Sequence, residues 1–264
     1  MTRPEAPPSD PTRRFSAWIG IDYSGAATPD SRLPGLATYR ADNDSPPARI
    51  DPPCGRRHWT RRELFDWLDE TLAGEVPVAI GIDHALSFPE AYFARYRLAN
   101  WEAFLEDFCA HWPTTREGAR VDDFRPRAAR VGDARELRLC DRWTAGAKSV
   151  FQFDVQGSVA KSTHAGLPFV AALRATHRPR LHVWPFDGFE VPAGRSLLAE
   201  VFPSRLRRRY SRGNRRPDEQ DAYAVAAWLS DMDRRGVLET FLNPPLTDDE
   251  RSIARREGWI LGVY

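Results

Sequence analysis

Five short stretches hold the residues best suited to chemistry. WIGIDYSGA at 18–26 is an apolar, β-branched run that ends in Asp22 and turns through Ser24, Gly25 and Ala26. VAIGID at 78–83 repeats the pattern and ends in Asp83. A near-continuous apolar run is the mark of a strand buried on both faces. An acid at its carboxyl end lies where open α/β sheets place ligands. Alone, Asp22 reads equally well as a turn residue; the recurrence at Asp83 favours a site. In SLLAEVFP at 196–203, Glu200 interrupts an apolar run, and burying it is costly unless it is paired, hydrogen-bonded or metal-bound. Asp221 falls in the first turn of a helix that the sequence predicts over 218–234, with Asp218 as its N-cap. The fifth stretch, 148–166, carries the only lysines of the chain, Lys148 and Lys161. It lacks the spacing of a P-loop.

Four carboxylates brought to one place repel one another unless cations sit between them. Hard divalent cations such as Mg²⁺ prefer oxygen ligands, and a pair of them can serve a phosphodiester displacement. The three cysteines, Cys54, Cys109 and Cys140, form no C-x-x-C pair, which argues against a zinc ribbon and a disulfide framework. They read as reduced thiols, in keeping with a cytoplasmic location.

The elements that must hold these acids follow from the pattern. Strands are predicted at 35–40 and 48–50, joined to the first by turn chemistry at 42–47, as an antiparallel meander. TRRELFDWLDETL at 60–72 is a helix, with a Thr60–Glu63 capping box and Gly74 as its stop. A crossover helix between strands forces a parallel return, so Asp83 is expected at the same sheet end as Asp22. Helices are predicted at 90–96 and 101–111. The arginine-rich, apolar-poor stretch 116–142 reads as the rest of a mostly helical insertion, about 90–146. Residues 148–156 alternate as a strand that leads into a helix through residue 173. Strands follow at 181–185 and 196–203. A capped short helix and an apolar tail at 257–263 close the chain.

The 264 residues are 42% hydrophobic, enough for a core, and the net charge of +1 excludes binding by overall charge alone. RLRRRYSRGNRR at 205–216 is a local exception, a basic run with an aromatic inside. Arg207 and Arg208 within it, with Ser24, Lys148 and Lys161, are the candidate substrate contacts. Residues 1–14 are Pro-rich and polar and read as a disordered leader. No apolar run reaches the length of a membrane span.

The order of these pieces resembles a family of predicted bacterial and archaeal nucleases with an RNase H-like fold. The resemblance rests on GIDYSGA at 20–26, GIDHALSFP at 81–89, KSVFQF at 148–153 and QGSVA at 156–160. VWPFDG at 183–188, AEVFPS at 199–204, QDAYAVAAWL at 220–229 and EGWILG at 257–262 complete it. It implies one domain over 15–264, an α/β fold with a five-stranded mixed sheet: three antiparallel strands, then strands parallel to the first, flanked by helices. It implies Asp22, Asp83, Glu200 and Asp221 as catalytic metal ligands for Mg²⁺ or Mn²⁺, and RNA or DNA as the partner. Ribonuclease H itself takes one acid from the helix before its fourth strand. Glu63 and Glu70 match that position poorly, so the site is closer to a resolvase-like pattern. Two other functions share the core. One is a phosphotransferase or nucleotide binder, since GIDYSGA also resembles the phosphate-binding turn of the sugar kinase and actin superfamily. The other is a noncatalytic nucleic-acid-binding module.

Overall fold

The computed structural model describes residues 13–42 and 45–264. The turn expected at 42–47 lies partly outside them, and so does most of the leader expected at 1–14. The chain folds as a mixed α/β sheet flanked by helices. Strands β1 (Ala17–Asp22), β2 (Ala37–Asp42) and β3 (Ala48–Arg49) form the antiparallel meander. Helix α1 (Arg61–Ala73) starts at the expected Thr60–Glu63 capping box and is followed by Gly74. It leads to β4 (Val78–Ile82), which lies parallel to β1.

Helices α2 (Glu90–Tyr96) and α3 (Trp101–His111) begin the insertion. Beyond them it departs from the sequence reading. Only α4 (Val121–Phe124), a 3₁₀ turn at Arg125–Arg127 and α5 (Leu139–Trp143) are helical. The stretch is rich in charge and broken by Pro113, Pro126, Gly118 and Gly132. It has no apolar stripe with which a longer helix could pack. The strand expected at 148–156 does not form either. Val150 and Phe151 are buried, and Phe151 packs 4.9 Å from the Phe88 ring, so the apolar positions are satisfied without a ladder.

Helix α6 (Ala160–His177), β5 (Leu181–Val183) and β6 (Ser196–Val201) follow. Then come α7 (Pro217–Arg234), α8 (Leu238–Leu242), α9 (Asp248–Glu257) and β7 (Ile260–Leu261). Among the described residues the sheet has seven strands rather than five, in the order β3-β2-β1-β4-β6-β5, with β7 also on β6. Both extra strands use the edge of β6 that faces away from β4. Strand β5 takes Ser196–Leu198 and β7 takes Glu200–Val201. They lie end to end, and both are parallel to β6.

The sheet separates two cores by the alternation of its side chains. Ala17, Ile19 and Ile21 of β1 face α1, α3 and α6. Trp18 faces the other way, with Ala79, Leu197, Ala199 and Val201, against α7, α8 and α9. Gly20 lies on this second face. A Cβ there would overlap the Ala222 carbonyl oxygen and the Ala226 nitrogen, so Gly20 lets α7 rest directly on β1. Among the described residues no helix is long and apolar enough to cross a membrane, and the three cysteines are free.

Candidate carboxylate site

Register brings the acids together. Gly20 stands beside Gly81 and Ile21 beside Ile82 in the parallel β1–β4 ladder. The ladder runs one step further, through Asp83 N–H to the Ile21 carbonyl at 3.3 Å. Asp22 and Asp83 are therefore neighbours at the carboxyl end of the sheet. Asp22 follows Trp18 and Gly20 at a period of two, so it belongs to the face that carries α7. On α7, Ala222 rests on Gly20. One turn earlier on the same side of the helix is Asp218, with Asp221 beside it.

The electrostatics record this convergence. Burial, then the charge of Asp83, then those of Asp221 and Asp218 hold the Asp22 carboxyl well above its ordinary range. The side-chain interaction between the two raises Asp22 and lowers Asp83, so of the pair it is Asp22 that is held toward its neutral form. Asp83 is pushed up to about 6 by burial, against the pull of that interaction and of the Tyr23 N–H, which it accepts at 2.6 Å. Asp221 is also pushed up to about 6 by burial, with Asp218 adding to the rise and Arg207 opposing it. Arg207 Nε lies 3.1 Å from Asp221 Oδ1, yet off the line of a hydrogen bond, and that buried oxygen has no donor among the described residues. All four carboxyls are partly buried.

Glu200 is set apart from the cluster. It pairs with Ile82 and follows Leu198 at a period of two, so it points to the face opposite Asp22. Both its oxygens are taken by Arg138, at 2.6 Å each. Arg138 is 1% exposed and also bonds Asp141 at 2.9 Å. Burial opposes the charge on Arg138, but Asp141 and Glu200 outweigh it and hold its pKa well above the usual value. The acid that does reach Asp22 from outside β1 and β4, besides Asp221, is Asp218. The sequence reading made Asp218 the N-cap of α7. The cap is Arg216, whose N–H donates to Glu219 at 2.9 Å, with Pro217 as the first helical residue. Asp221 consequently lies in the second turn.

The candidate substrate contacts are scattered. Ser24 lies two residues after Asp22, and its Oγ accepts the Ala26 N–H at 3.4 Å. Lys148 donates to the Gln156 carbonyl and borders a shallow pocket shared with Asp83 and Glu200. Lys161 is paired with Asp122 at 2.7 Å. Arg208 is exposed. His84 is fully buried, pushed down to about 4 by burial, and wedged against Gly166.

Arg61 carries a role the sequence reading missed. It is 1% exposed and donates to the carbonyls of Ser24 (3.2 Å), Ala26 (2.6 Å) and Ala27 (3.2 Å). It thereby fixes the turn that follows Asp22. A faint signal existed: an arginine at the first position of a helix opposes the helix dipole and calls for another partner.

The donor set is all carboxylate, which suits a hard cation. The closeness of Asp83, Asp221 and Asp218 to Asp22, and the buried Asp221 oxygen that has no donor among the described residues, both mark places that favour positive charge. Among the described residues, however, no three His, Cys, Asp or Glu side chains already converge on one ligand point. Set against family models, curated proteins and solved structures, the chain matches none.

Proposed function

We propose that the protein is a divalent-metal-dependent phosphodiester hydrolase, a nuclease on an RNase H-like core. The observation that carries this reading is the meeting of Asp22, Asp83 and Asp221 from β1, β4 and α7, each held above its ordinary pKa. Three antiparallel strands followed by parallel ones support the fold assignment, as does the resemblance of the motifs. Asp22, Asp83 and Asp221 would hold Mg²⁺ or Mn²⁺, with Asp218 beside them. A bound ion supplies Lewis-acid stabilisation to the charge that develops on a phosphodiester in displacement.

The remaining work falls to the chain itself. Arg61 holds the Ser24–Ala27 turn so that Asp22 is presented at a fixed angle. The Tyr23 N–H orients Asp83. The β1–α7 contact at Gly20 sets the distance between Asp22 and Asp221. Such fixed geometry is what lets charged groups act without reorganising.

The test is twofold. Mn²⁺ binding is measured by titration calorimetry, and cleavage of end-labelled single- and double-stranded DNA and RNA is followed with Mg²⁺ or Mn²⁺. Cleavage should require the metal and fall at least about a hundredfold in Asp22→Asn. A protein that binds neither ion ends this reading.

A further inference from the structure

Three arginines serve the elements around the carboxylate cluster, and the one that touches it, Arg207, differs from the others in how it is held. Arg61 and Arg138 are each 1% exposed and make several aligned hydrogen bonds. The Arg207 side chain is 43% exposed. Its Nη2 donates to Ser204 Oγ at 2.7 Å, but toward the cluster it makes only the misaligned approach to Asp221 Oδ1. The backbone beneath it is pinned. Gln220, one residue before Asp221, donates Nε2 to the Arg207 carbonyl at 3.0 Å and to the Tyr210 carbonyl at 2.9 Å. Gln220 is itself 4% exposed and accepts from Arg215 Nε at 2.8 Å. The turn is thus anchored to α7 beside Asp221, and the guanidinium makes its one directed bond to Ser204 while its approach to Asp221 is by charge.

A guanidinium and a divalent cation cannot both occupy the approach to one carboxylate oxygen. We propose that Arg207 is a displaceable counter-ion. It offsets the charge of Asp221 when no metal is present and swings out when a divalent cation binds. The inference rests on the metal-dependent reading of this cluster and adds a role for a residue that is not a ligand. Arg207 competes with the metal, so it lowers metal affinity and stabilises the metal-free protein.

The experiment is Mn²⁺ titration calorimetry at fixed ionic strength on wild type, Arg207→Ala and Arg208→Ala, with melting of each in chelator and in Mn²⁺. Arg208→Ala removes the same charge one residue along, without the contact to Asp221. Arg207→Ala should bind Mn²⁺ about tenfold more tightly than wild type, and Arg208→Ala should change much less. In chelator Arg207→Ala should melt below wild type, and Mn²⁺ should raise its melting temperature by more. Equal or weaker binding by Arg207→Ala, with wild type binding normally, overturns the inference and leaves the metal reading standing. So does an equal gain in Arg208→Ala, which would reduce the effect to general charge. Absence of binding in all three proteins ends both.

Discussion

Asp22 is held above its ordinary range by burial first and by the charge of Asp83 second. Asp22→Asn replaces that carboxyl with a neutral amide that can donate. The amide can keep the contact to Asp83 and cannot ionise, so the cost of burying a second charge beside Asp83 is removed. In chelator the variant should therefore fold normally and gain about 1 kcal/mol, read by urea unfolding, while metal binding and cleavage are lost. Loss of the fold would make Asp22 structural. The pH dependence has a definite sign. Asp83 and Asp221 are raised from 3.8 to about 6 on folding, so the folded chain binds these protons more tightly. Their contribution to stability is complete below the unfolded value and is lost as pH rises through about 6. Metal-free protein should melt higher at about pH 5 than at about pH 7.5, and Asp221→Asn should show less of this difference. An identical profile in the variant would mean that other groups set the slope.

At the scale of elements, what could be read from the chain was what local pattern controls. The repeated apolar run ending in Asp is visible in the letters, and parallel register then puts Asp22 beside Asp83. The Thr60–Glu63 box marks the start of α1 by chemistry that needs no partner. Glu200 shows the limit. Its cost of burial was legible, but its face depends on the β4–β6 register, and its partner Arg138 is 62 residues away in an irregular stretch. The phase of α7 was likewise hidden, so Asp218 passed for a cap. Two substitutions probe these contacts. Arg138→Met strands Asp141 and Glu200 as buried charges and should cost about 3–5 kcal/mol, with partial recovery when Glu200→Gln is added. Lack of any recovery would argue against the ion pair as the cause. Gly20→Ala drives a Cβ into the α7 backbone and should cost roughly 1–3 kcal/mol. Because α7 must move, Mn²⁺ affinity should fall in the same variant. Destabilisation with unchanged affinity would show that the β1–α7 contact does not set the site.

On the scale of the whole molecule, the net charge of +1 gives no long-range pull on a polyanion, so any such pull is local. The basic run at 205–216 is its source, yet its arginines are not equivalent. Arg207 faces Asp221, Arg215 lies over the Tyr223 ring at 3.6 Å, and Arg216 pairs with Glu219 at 3.2 Å. Arg212 donates to the Arg215 carbonyl at 2.6 Å. Arg205, Arg208 and Arg209 are exposed, and among the described residues their side chains carry no hydrogen bond or ion pair. These three are the ones free to neutralise phosphates. Contacts of this kind give affinity without sequence information. Binding of the proposed nucleic-acid substrate should therefore be independent of sequence and should weaken steeply with salt. On duplex each phosphate contact contributes about 0.9 to the log–log slope, so replacing all three with Ala should flatten it by up to about three units. Cleavage at saturating substrate should change much less, because Asp22, Asp83 and Asp221 remain in place. The measurement is binding to a labelled duplex and a labelled single strand across a salt series, for wild type and the triple variant. A slope that stays the same would assign the three arginines to the solvated surface. No binding to either strand at low salt would point to a small phosphorylated substrate.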